Sequence, residues 1–128
     1  MRVPKQNRSE ARERLAHDQE QADRLPELLE AVAEAERALD SARAQDAPSE
    51  ELHERGLTLD TALTEAMRAA YAHERVLVGP KGYDDRIVRR KRLARPGIKQ
   101  ATEVAEVLLT ARETHRLHGI QGVPRRAV

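Results

Sequence analysis

The scarcity of large apolar side chains limits this chain more than any other feature. Among 128 residues there is no Phe, no Trp and only two Tyr. Hydrophobic residues make up 39%, yet 20 of them are alanine, and Leu, Ile and Val together number 26. A core built from such material must come from closely approaching helices, because strands favour β-branched and aromatic side chains. A β-sandwich or barrel is therefore not expected, and an all-α fold is. Zero cysteines exclude a disulfide framework, a thiolate zinc site and a thiol nucleophile. No run of 18 apolar residues is present, so no membrane span is expected. With neither an apolar signal region nor an organelle address, the expected location is the bacterial cytoplasm or the interior of a phage-like particle. Arginine outnumbers lysine 19 to 4, and with abundant alanine this usage fits a high-GC bacterium or one of its mobile elements.

Apolar periodicity places the helices. Ser9 is a candidate cap for a first helix, with Leu15, Ala11, Ala16 and Ala22 as its thin apolar set, and residues 1–8 read as a loose arm. Pro26 forces a bend or a new helix near Asp23. Leu25, Val32 and Leu39 recur at seven, with Leu28, Ala35 and Ala42 offset by three, which is an a/d seam. The segment 46–49 is a breaker, with Asp46 or Ser49 available to cap the next helix. Leu52, Leu59, Ala66 and His73 then recur at seven, with Leu63, Ala70 and Leu77 offset by four. The expected architecture is a long antiparallel helical hairpin, over about 9–45 with a break near Pro26 and over 49–77. A basic connector and a C-terminal helix over about 98–118 complete the chain. Ile98, Ala101, Ala105, Leu108 and Ala111 fall on one face of that helix with Val104, Val107 and Leu109 beside it, Gly119 is its C-terminal stop, and the end of the chain is a basic tail. Two readings compete for 76–90: a turn followed by a helix capped by Asp84 or Asp85, or a small β-hairpin. The division expected is an acidic hairpin over 1–78 and a basic part over 79–128.

Charge is the strongest functional signal. The total is +1, but residues 1–78 sum to −6 and 79–128 to +7. Lys81, Arg86, Arg89, Arg90, Lys91, Arg92, Arg95 and Lys99 set eight cations against two acids over 81–99. Arginine forks suit phosphate and carboxylate oxygens, so this segment is the candidate site for nucleic acid or another anionic partner. Leu25, Leu28, Val32, Leu39, Leu52, Leu59 and Leu63 are the candidate hairpin and oligomer seam. Gly79-Pro80-Lys81-Gly82 lacks the spacing of a phosphate-binding P-loop and reads as a turn. His115 and His118 lack the H-E-x-x-H spacing and read as a polar helix end, so no metal site is expected. Serine occurs three times, and the carboxylate pairs fall on helix faces or caps. No catalytic constellation, cofactor or small-molecule substrate is indicated. The expected function is that of a non-enzymatic structural or adaptor subunit in an oligomeric assembly, with a phage or mobile-element particle as the setting. A small nucleic-acid-binding accessory or regulatory protein is the alternative. The expected partner is another copy or another protein, with nucleic acid as the second candidate and no membrane.

Overall fold

The computed structural model describes residues 5–118. Five α-helices succeed one another: α1 (Lys5–Asp23), α2 (Leu25–Ala44), α3 (Ser49–Val78), α4 (Arg86–Leu93) and α5 (Pro96–His118), with a 3-10 turn over Pro80–Tyr83 between α3 and α4. The described residues contain no strand, so the fold is all-α and the turn-plus-helix reading of 76–90 holds over the β-hairpin. No helix among them is long and apolar enough to cross a membrane. The arm expected over 1–8 is already helical from Lys5; residues 1–4, Gly119 and the basic tail lie outside the described residues. Ser9 is inside α1 rather than at its cap.

The breaks match the expected breakers, with local corrections. Pro26 sits in the first turn of α2, where a missing amide proton costs nothing. Pro96 starts α5 for the same reason, so this helix begins two residues before Ile98. Between α2 and α3 the backbone closes a Schellman motif. The Ala47 amide donates to the Ala42 carbonyl at 3.0 Å and the Asp46 amide to that of Arg43 at 3.1 Å. Asp46 therefore terminates α2 instead of capping α3, and Ser49 is already within α3, whose first bond runs from the Leu52 amide to the Pro48 carbonyl. Asp46 adopts φ 52°, a left-handed conformation that favours glycine. Asp46→Gly is expected to stabilise the protein by up to about 1 kcal/mol, read as a higher urea midpoint at unchanged m-value.

The chain forms two compact units, each drawing on α3 and α5. Residues 26–67 and 107–118 supply the described part of one. Its buried side chains include Leu28, Val32, Leu39, Leu59, Leu63 and Leu108. Three polar links join α3 to α5 there. The Arg112 Nε donates to Thr64 Oγ1 at 2.7 Å, and Arg116 donates to both Asp60 carboxylate oxygens at 2.7 and 3.2 Å. His115 is buried, and its Nε2 donates to the Gly56 carbonyl at 2.7 Å. The polar-helix-end reading of His115 is thus overturned: the ring crosses to α3 and satisfies a backbone oxygen. Arg116 holds the Asp60 carboxyl below the usual carboxylate range, against a smaller opposing effect of burial.

The other unit contains α1, α3 from Arg68, the 3-10 turn, α4 and α5 to Glu106. Small residues dominate its interior: Ala69, Ala70, Ala72 and Ala105 are each no more than 2% exposed. Ala11, Ala22, Val78, Ile98 and Ala101 are also buried. The seven-residue repeats of α3 do not stay inside throughout. Leu77 is exposed and His73 half-buried, while Leu52 and Leu25 are likewise half-buried. Along α1, Ala16 is exposed, and the inward stripe instead runs Ala11, Leu15, Asp18, Ala22. An aspartate thus occupies a position that spacing alone would give to an apolar residue.

Candidate anionic-partner interface

The basic segment is held in place by a compact polar frame at the end of α3. Gly79 ends that helix at φ 94° and ψ 175°, a backbone region open essentially only to glycine. The 3-10 turn comes next, and Gly82 lies so close to α3 that a Cβ there would fall 2.3 Å from Val78 Cγ1. Both glycines are therefore set by geometry, which agrees with the turn reading of this stretch. Asp85 caps α4, its carboxylate accepting from the amides of Ile87 and Val88 at 2.9 and 3.1 Å. Arg92 reaches back from α4 and donates to the Val78 carbonyl at 2.6 Å, capping α3.

Below this turn lies the buried aspartate. Asp18 accepts from Arg75 Nε at 2.8 Å and from Nη2 at 3.0 Å, and the Tyr83 hydroxyl donates to the same carboxylate. Burial alone would raise the Asp18 pKa. The hydrogen bonds from Arg75 and Tyr83, with the charges of Arg75 and His17, outweigh it and hold the carboxyl below its ordinary value. Burial, reinforced by the Asp18 carboxylate, pushes the Tyr83 phenol well above its own. A second polar link is made by Thr102, whose hydroxyl donates to the buried Glu74 carboxylate at 2.6 Å. None of Asp18, Arg75, Glu74 or Thr102 is legible as a contact from spacing, since each pair lies far apart in the chain. The one signal is an acid breaking the apolar stripe of α1.

The eight cations divide by role. Arg92 is half-buried and belongs to the fold, which removes it from the expected contact set. Lys81, on the turn, is exposed; so are Arg86, Arg89, Arg90 and Lys91 on α4, Arg95 between α4 and α5, and Lys99 on α5. The side chains of Arg86, Arg89, Arg90 and Lys91 make no hydrogen bond or ion pair with any other described residue. Alternation of faces explains the split: Val88 and Arg92, four apart, turn inward, and the residues between them point to solvent. Ile87, 68% exposed, stands among these cations.

Two hollows adjoin the frame. An open groove of about 560 Å³ is lined by Glu10, Glu13, Arg14, His17, Asp18, Arg75 and Tyr83, with acids in excess. A smaller cavity of about 310 Å³ is lined by Arg75, Arg86, Arg89, Tyr83, Val78, Gly79 and Gly82, with no acid. Among the described residues no group of three or more His, Asp or Glu side chains is placed to hold a metal ion. In the other unit, Leu39, Leu59 and Leu63 of the expected seam share a groove with Glu36, Asp40 and His115. No protein-family model, curated protein or solved structure matches this chain.

Proposed function

We propose that the protein is a non-enzymatic adaptor subunit of an oligomeric assembly, and that the exposed face of α4 docks an anionic partner. The observation that carries this reading is a contrast between arginines. Arg75, Arg112 and Arg116 each find a partner within their own unit, whereas Arg86, Arg89 and Arg90 with Lys91 leave four cations facing outward. Like charges gathered on one short helix repel one another, and an anion supplied from outside removes that repulsion. The alternative, a small nucleic-acid-binding accessory protein, is favoured by the acid-free cavity beside α4.

The test is solution mass, measured with and without DNA, for the natural chain and for a triple variant carrying Arg89→Ala, Arg90→Ala and Lys91→Ala. The expected result is an oligomer that the variant forms poorly, or a DNA complex that it loses. A monomer that binds no polyanion in either form overturns the proposal.

A further inference from the structure

The two hollows beside the Asp18–Arg75–Tyr83 frame share walls but differ in sign. The groove on the α1 side carries three carboxylates against two arginines. The cavity on the α4 side carries three arginines and no carboxylate. Arg75 and Tyr83 are common to both, and Asp18 fixes the Arg75 guanidinium by taking Nε and Nη2, which leaves Nη1 without an acceptor among the described residues. Arg86 and Arg89, one turn apart on α4, add two further forks without partners among the described residues. The other residues that line it are uncharged: Tyr83, Val78, Gly79 and Gly82. Tyr83 is held by its hydroxyl at Asp18, so the ring is positioned before any ligand arrives. Three arginines and a tyrosine lining a space of about 310 Å³ match a phosphate joined to a flat ring system.

We propose that this cavity seats one nucleotide of a single-stranded nucleic acid, its phosphate on Arg86, Arg89 and Arg75 and its base against Tyr83. The proposal rests on the reading of α4 as an anion-docking face and narrows its partner. A strand is favoured over an isolated phosphate group because Arg90, Lys91, Arg95 and Lys99, on α4 and the chain just after it, are four more exposed cations that the neighbouring phosphates of a polymer can engage.

Fluorescence anisotropy with a labelled single-stranded 12-mer, at fixed ionic strength, separates the cavity from the surface. Arg86→Ala with Arg89→Ala removes two cations from the cavity. Arg90→Ala with Lys91→Ala removes two from the same helix outside it. The cavity pair is expected to weaken binding at least tenfold and the outer pair about threefold or less. Tyr83→Phe keeps the ring but releases it from Asp18, and should weaken binding less than the cavity pair does. Amide shifts of Gly79 and Gly82 on adding adenosine monophosphate, absent with adenosine, give a readout that does not depend on any variant folding. Equal losses from the two pairs overturn the cavity while leaving the surface reading intact. Binding of a phosphotyrosyl peptide but not of the strand overturns the nucleotide assignment. An oligomeric natural chain that binds no polyanion overturns the cavity alone, and a monomeric one that binds none removes both readings together.

Discussion

Replacing Asp18 with leucine should destabilise the protein by about 3 kcal/mol, even though leucine suits the apolar stripe of α1. The aspartate is 5% exposed and sits at the third position of the run Ala11, Leu15, Asp18, Ala22. A pattern argument would therefore favour the substitution. The structure opposes it, because Asp18 is the shared acceptor for Arg75 and Tyr83. Removing one member of a buried ion pair strands the other, at a cost of about 3–5 kcal/mol when both are enclosed. The Arg75 side chain is 42% exposed and recovers some hydration, which places the effect at the low end. Restoring balance should restore stability: adding Arg75→Met and Tyr83→Phe to Asp18→Leu should recover most of the loss in urea unfolding. The pH dependence has a definite sign. The folded-state pKa of Asp18 is depressed, so its contribution is complete above the unfolded-state value near about 4 and disappears as pH falls through the folded value. The balanced triple variant should show a shallower decline in stability below pH about 4 than the natural chain does. An Asp18→Leu protein as stable as the natural one would show that the cluster contributes nothing.

Ala105→Leu should also cost about 3 kcal/mol, by overpacking. Ala105 is 0% exposed on α5, and the most enclosed positions of α3 in the same unit, Ala69, Ala70 and Ala72, are also alanine. No large side chain is fully buried anywhere among the described residues. Such an interior gains its contacts from backbones that approach closely, and three added carbons have no void to enter. The contrasting substitution is Val107→Leu, at a position 67% exposed two residues further on, which should be neutral within about 0.5 kcal/mol. Thermal unfolding of the two variants provides the check. Equal melting temperatures would mean that α5 is loosely held and that the alanine contacts are not tight.

The helices are readable from sequence because their signals are local. Pro26, the 46–49 breaker, Gly79-Pro80 and Pro96 each interrupt the backbone where they stand, and the observed helices end within a few residues of them. Asp85 as a cap depends on one side chain and the two amides after it. The long-range polar links are not readable in that way. Arg75 and Asp18 are 57 residues apart, His115 and Gly56 are 59 apart, and both contacts depend on how the helices turn toward one another. Heptad spacing carries no information about that rotation where alanine supplies the stripe, which is why Ala16 is expected inside and Asp18 is not. The basic segment is visible as charge, but its division is not. Whether Arg92 meets solvent or the end of α3 depends on the reach of its guanidinium to the Val78 carbonyl. The seam residues Leu28, Val32, Leu39, Leu59 and Leu63 are buried, whereas Leu25 and Leu52, each near a helix start, are only half covered.

Whether the outward cations of α4 engage an anion is read from the salt dependence of polyanion binding. Affinity for a short DNA, tracked from low to physiological salt, should fall steeply for the natural chain. For the variant carrying Arg89→Ala, Arg90→Ala and Lys91→Ala, the slope of log K against log salt should flatten by roughly 0.9 per lost phosphate contact on duplex, or about 2.7 in all. Arg92 is left in place so that the cap on α3 survives and the comparison reports contact rather than folding. If the anion is instead an acidic surface of a second copy, the same variant should lose assembly while its weak DNA affinity and slope stay unchanged. A variant that assembles as the natural chain does and binds DNA with the same affinity and slope would show that α4 docks no anion and is a solvated face.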